Sequence, residues 1–151
     1  MAGWQLALVV FSITFLLTCA EPKHTIKEIQ QLAKSAHDNP SLLNVDTSDN
    51  DIQKISSMAL HLFSFQKGIL YHVVQYLNFK AQVFEGILYT MDVFIGKTNC
   101  PASGNEKETA DCHVIQTFGQ SEFYMCHFVI WTPPESTQGK VLSNSCNKLH
   151  L

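Results

Sequence analysis

At Lys67-Gly68 the hydrophobic period of this chain changes from that of a helix to that of a strand, and few folds accommodate the switch. Upstream, Ile52, Ile55, Met58, Ala59, Leu62 and Phe63 recur at three- and four-residue spacing, which places them on one stripe of an α-helix. Ser48 with Asp51 reads as a capping-box start with the acid shortened from the usual Glu, and Asp49 and Asp51 suit the positive end of the helix dipole. Downstream from Ile69 the period is two, in a run rich in branched and aromatic residues: Leu70, His72, Val74 and Tyr76 alternate with Tyr71, Val73, Gln75 and Leu77. The chain turns around residues 81–85 and returns through Ile87, Tyr89, Met91, Val93 and Ile95. Residues 96–111 are polar and carry Pro101, Gly104 and Asn105, which reads as a surface loop. Residues 122–132 make a third strand, Pro133-Pro134-Glu135-Ser136 a second hairpin loop, and residues 139–146 a fourth strand. One helix followed by an antiparallel meander buries one sheet face against that helix, so the fold class expected is α+β.

Ahead of the helix the character is different. Residues 6–17 are an apolar run too short to span the ~30 Å of a bilayer as a helix. With Thr18 and Ala20 at the −3 and −1 positions, residues 1–20 read as a signal peptide cut after Ala20. Residues 21–44 are polar, broken at Asn39-Pro40, and hold a short helical pattern in Ile26, Ile29, Leu32 and Ala33; they read as a mobile N-terminal extension with two turns of helix. Residues 45–151 are one domain with one core.

Removing the signal takes Cys19 with it and leaves Cys100, Cys112, Cys126 and Cys146. An even number of cysteines in a secreted chain implies two disulfides, with three pairings open. The most economical joins Cys100 to Cys112 and Cys126 to Cys146, closing one loop and stapling one hairpin. The formal charge of −3 is small and every basic residue is Lys, which argues against a nucleic-acid partner. Paired cysteines leave no thiol nucleophile, no Ser sits in a Gly-x-Ser-x-Gly turn, and no glycine-rich phosphate loop is present. Cys112-His113 and Cys126-His127 resemble metal-ligand pairs, but disulfides account better for them in an oxidising compartment. Neither an enzyme, a metal site nor a cofactor is expected.

Gln82-Val83-Phe84-Glu85-Gly86, the strand that follows it to Cys100, and the order and spacing of both cysteine pairs carry a resemblance to the secreted, two-disulfide (family 2) cystatins. The resemblance covers residues 44–146. It implies the cystatin fold, one long helix packed across a curled antiparallel sheet of four to five strands. It also implies a secreted inhibitor that plugs the active-site cleft of papain-like cysteine proteases with a wedge. On this chain the wedge would be Gln82, Val83, Phe84, Glu85 and Gly86 of the first hairpin, Pro134 and Glu135 of the second, and Leu42 and Leu43 of the N-terminal segment.

Several wedge positions depart from the family pattern. Phe84 stands where the family has Val, Glu85 adds a charge to be desolvated on docking, and Glu135 stands where the family has Trp. No Gly is present in residues 21–67 to hinge the N-terminal segment. Gln66-Lys67-Gly68-Ile69 holds no Asn, so no legumain-binding loop is expected. Trp131 reads as a packed sheet residue rather than a displaced anchor. These departures are similar to those of the reproductive-tract subgroup of cystatins, so the alternative expectation is a non-inhibitory protein acting by self-association, for example as a domain-swapped homodimer, or by binding another extracellular partner. The β-prone, sparsely charged runs 73–77 and 123–131 suit such pairing. No membrane partner is expected.

Overall fold

The computed structural model describes residues 20–35, 42–103 and 111–150. The signal-peptide reading, but for Ala20, lies outside them, as do Asn39-Pro40-Ser41 and the middle of the loop read at 96–111. Six strands and two helices follow in the order β1 (Lys23–His24), α1 (Ile26–Ser35), β2 (Leu42–Val45), α2 (Asn50–Lys67), β3 (Ile69–Val83), β4 (Ile87–Pro101), β5 (Phe123–Thr132) and β6 (Lys140–Leu149). The strands form one sheet in sequence order, with β1 parallel to β2 and every other pair antiparallel. This is a helix on a sheet, α+β.

Of the stripe read from the sequence, Ile52, Ile55, Ala59 and Phe63 form the buried face of α2, joined by Leu60, whereas Met58 is half-buried and Leu62 is exposed. This face meets the inward residues of β4, where Ile87, Tyr89, Met91, Val93 and Ile95 are all fully buried at period two, and Tyr124, Cys126, Phe128 and Ile130 of β5. Each such aliphatic side chain withdrawn from water contributes roughly 1.5–3 kcal/mol. Gly68 ends α2 in the left-handed region at φ 72°, where its N–H donates to Phe65 O.

Three details differ from the sequence reading. The cap of α2 is Asp49, not Ser48: Asp49 Oδ1 accepts from Asp51 N at 2.9 Å, while Ser48 closes a turn onto Asp46 Oδ1. β4 continues through Lys97 to Pro101 rather than yielding to a loop at Gly96, because β3 supplies partners as far as Ile69. And the segment read as a mobile extension is packed in its described parts, residues 21–35 and 42–44. In α1, Ile26 and Ile29 are 2% and 0% exposed, and with β1 and β2 the sheet has six strands where four to five were expected.

The reason lies in how α1 is held at its start. Glu28 closes the carboxylate half of a capping box, its Oε2 accepting from Thr25 N at 2.9 Å. Ile26 N donates to Asp49 Oδ2 at 2.9 Å, so one carboxylate caps both helices. Anchored there, α1 extends the helical layer beyond the N-terminus of α2.

Disulfides join Cys100 to Cys112 and Cys126 to Cys146. The second links residues that face each other directly across β5 and β6.

Candidate functional site: the docking edge

The β3–β4 hairpin closes at Val83, which pairs with Ile87, leaving Phe84, Glu85 and Gly86 as its tip. Phe84 N donates to Gly86 O at 2.9 Å and tightens it. Two residues of the tip have positive φ, Glu85 at 42° and Gly86 at 125°. Gly86 is required twice over. Its φ is one that L side chains avoid, and a Cβ there would come within 2.5 Å of Trp131 Nε1 and 2.8 Å of Thr132 O. Glu85 has no such freedom, and its left-handed backbone costs on the order of 1–2 kcal/mol.

Trp131 explains the close approach. It lies on β5 opposite Leu88 of β4 and Lys140 of β6, half-buried, and its indole N–H donates to Glu85 O at 3.2 Å. The ring braces the first hairpin from beneath. The loop after it, 133–139, is a compact turn with Ser136 N donating to Pro133 O and Gln138 N to Ser136 Oγ.

β2 brings the third piece to the same end. Leu42 pairs with Gln82 and Leu43 with Ala81, one step from the hairpin tip. Leu42 is 59% exposed and Phe84 67%, an unusual degree for large apolar side chains. Of the residues singled out from the sequence, Leu42, Phe84, Glu85 and Glu135 face solvent, and Gln82, Leu43 and Pro134 are half-buried. Val83 is turned into the core at 8% exposure. Gly86 is buried against Trp131 and acts by letting the backbone approach.

A residue that sequence reasoning did not single out completes the edge. Lys34, in the last turn of α1, lies with its Nζ 2.9 Å from Glu135 Oε1. The Lys34 hydrogen bond and charge hold the Glu135 carboxyl below its ordinary range. The Ile26, Ile29, Leu32 and Ala33 pattern signals the helix that carries Lys34, but nothing in the sequence indicates which loop its far end reaches.

Beneath the edge the hydroxyls of Tyr89 and Thr132 are buried close to each other, with no well-aligned hydrogen bond to any other group among the described residues. Among the described residues, no group of three or more His, Cys, Asp and Glu side chains is placed to hold a metal ion, and no helix is long and apolar enough to cross a membrane. The edge therefore offers surface, shape and charge: two exposed apolar side chains, a rigid backbone tip and an ion pair.

Comparison with known proteins places this architecture. The model of the cystatin domain matches residues 40–130. A cystatin from Coturnix japonica is 29% identical over 104 residues, covering 68% of this chain and 88% of that protein. One from Gallus gallus is 28% identical over 104 residues, covering 68% and 73%. Among solved structures, dimeric human cystatin F superposes with a TM-score of 0.61 at 18% identity, covering 74% of this chain and 88% of that one. Al-CPI superposes with a TM-score of 0.56 at 19% identity, covering 72% and 99%. At such identities the superpositions speak for the fold alone. The domain match spans more than half of the chain, and with the helix-on-sheet fold and the two bridges of the two-disulfide type it makes this chain a member of the cystatin family.

Proposed function

We propose that the chain is secreted after removal of residues 1–20 and binds papain-like cysteine proteases weakly, entering the active-site cleft with the edge formed by Leu42, Leu43, Gln82, Val83, Phe84, Glu85, Gly86, Pro134 and Glu135. The observation that carries this reading is the convergence of three separate segments, β2, the β3–β4 hairpin and the 133–139 loop, at one end of the sheet, with Leu42 and Phe84 exposed there. In the family such an edge is the inhibitory wedge. It blocks by occupying space, so it needs backbone approach and apolar contact rather than a reactive group. Gly86 supplies the approach.

The weakness follows from the same residues. Trp131 is spent bracing the first hairpin, and Glu135 leaves the second loop without an aromatic anchor, a loss of about 2 kcal/mol or more of binding. The Glu85 carboxylate must be desolvated as the tip enters, costing a few kcal/mol unless a partner cation meets it, on the order of the penalty for an unpaired buried charge. A competition titration of the mature protein against papain and a cathepsin tests this. Competitive inhibition in the micromolar range is expected. Nanomolar binding contradicts the weakness, and no inhibition at any concentration contradicts the protease reading.

One observation favours a second reading, a non-inhibitory member of the reproductive-tract kind that self-associates. Glu85 holds a left-handed conformation at the tip joining the two longest strands. Opening this hairpin, so that α2 and β3 exchange between copies, would relieve that strain. A slow, concentration-dependent dimer on mild heating, abolished by an engineered disulfide locking β3 to β4, supports it. Persistence of the dimer in the locked protein excludes exchange through this loop.

A further inference from the structure

We infer that α1 is a fourth element of the docking edge and that Lys34 sets the edge's charge, so that among papain-like proteases the chain selects those whose cleft rim is basic where it faces Glu85. This rests on the protease reading above and specifies its partner.

The cystatin-domain match begins at residue 40, beyond the end of α1, so α1 is added to the matched region. It is nevertheless built in. Ile26 and Ile29 are in the core, and the first turn is fixed by the Thr25–Glu28 hydrogen bond and by Asp49. With its start pinned at the cap of α2, its last turn comes to the second loop, where Lys34 pairs with Glu135.

The edge then carries Lys34, Glu85 and Glu135 beside Leu42, Phe84 and Pro134, with Lys140 at the foot of the second loop, opposite Trp131. Lys34 and Glu135 compensate each other at 2.9 Å. Glu85 is exposed, and among the described residues it joins no ion pair; Trp131 reaches its backbone oxygen, not its carboxylate. Of the two carboxylates of the edge, Glu85 is thus the one without an ion-pair partner among the described residues, and it stands on the hairpin tip. A cation on the rim of the cleft offsets the desolvation of that carboxylate, whereas an acidic rim repels it on approach and leaves it unpaired on docking. Lys34 keeps Glu135 from adding a second unpaired carboxylate, which makes it a specificity-determining residue in a segment outside the matched residues.

The test measures association rates of the mature protein with two papain-like proteases, one with a basic and one with an acidic cleft rim. Salt is set at about 20 mM and about 0.5 M, where the screening length falls severalfold. The wild type should associate faster with the basic-rimmed enzyme at low salt, with the gap closing at high salt. Glu85→Gln should reduce the low-salt gap by roughly three- to tenfold, in the range of electrostatic steering by few charges. Lys34→Gln should widen it, with the melting temperature near that of the wild type. A gap indifferent to salt and to Glu85→Gln overturns the inference and leaves the protease reading standing. A Lys34→Gln variant that lowers the melting temperature without moving the gap makes Lys34 a structural residue and removes α1 from the edge. Failure of both proteases to bind at any salt overturns the inference and the protease reading together.

Discussion

The two ends of the sheet are built on opposite terms. At the end away from the hairpin tips, Phe63, Tyr71 and Tyr124 meet edge to face with centroids 5.1–5.6 Å apart, and Lys67 lies over two of the rings. Glu122 Oε1 accepts from both tyrosine hydroxyls at 2.8 Å and its Oε2 from Lys148 at 2.9 Å. Ser64 takes the N–H of Tyr71, and Thr98 donates to Leu70 O. Polar groups there are satisfied and a disulfide lies close by in the chain. At the docking end, by contrast, Glu85 is held left-handed and the buried hydroxyls of Tyr89 and Thr132 have only each other as polar neighbours; exposed apolar side chains do not separate the ends, since Phe65 and Phe118 face water as Leu42 and Phe84 do. Stability is concentrated at one end and the departures from local rules at the other, which is where a binding surface is expected to place them.

The largest contrast should come from paired truncations. Phe63→Ala, which empties the aromatic cluster, should destabilise by about 3–5 kcal/mol, whereas Phe84→Ala on the docking tip should stay within about 0.5 kcal/mol in denaturant unfolding. Comparable losses would erase the division between the ends.

A sharper cut lies within the docking end itself. Ile29→Ala should cost about 2–5 kcal/mol if α1 belongs to the core, while the surface substitution Lys34→Gln should cost about 0–1 kcal/mol. An Ile29→Ala protein as stable as the wild type would return α1 to the status of an appendage.

Acid probes the closed end through Glu122. The hydrogen bond from Lys148, then those from Tyr71 and Tyr124, pull the Glu122 carboxyl down to about 2. Because this lies below the value in an unfolded chain, the contribution is complete above the ordinary carboxylate range and is lost as pH falls toward about 2. Glu122→Gln should therefore lower the melting temperature at pH 6, and the difference from wild type should shrink between about pH 5 and pH 2. A difference that does not vary with pH would show that the glutamate acts only as a neutral hydrogen-bond partner.

The smallest effect belongs to the buried hydroxyls. Thr132→Val takes from the Tyr89 hydroxyl its one polar neighbour and should cost about 1 kcal/mol or less, since the two form no well-aligned hydrogen bond. A loss of more than about 1 kcal/mol would mean that they share a full hydrogen bond.

How much of this could be read from the chain depends on how local each signal is. The α2 stripe and the alternation of β4 are periodicities carried by contiguous residues, and both emerged as the two faces of the core. α1 was under-read because only Ile26, Ile29, Leu32 and Ala33 interrupt a polar stretch, and its burial depends on Asp49, 23 residues away. β1 and β2, at two and four residues, are too short to show a period. The cap of α2 went to Asp49 because its carboxylate serves two helices at once, a tertiary contact that no capping pattern encodes. At the edge, the hairpin tip was visible as a motif, but the inward turn of Val83, the brace from Trp131 and the Lys34–Glu135 pair are consequences of strand register and long-range packing.

The central claim is that the docking edge is a protease wedge weakened at named positions. Its most direct test is the inhibition constant of the Phe84→Val, Glu135→Trp double variant against papain, beside that of the wild type. Recovering roughly 1.4 to 4 kcal/mol between the two changes should tighten binding about ten- to a thousandfold, with the fold intact by melting temperature. A folded double variant that inhibits no better than the wild type would contradict the account.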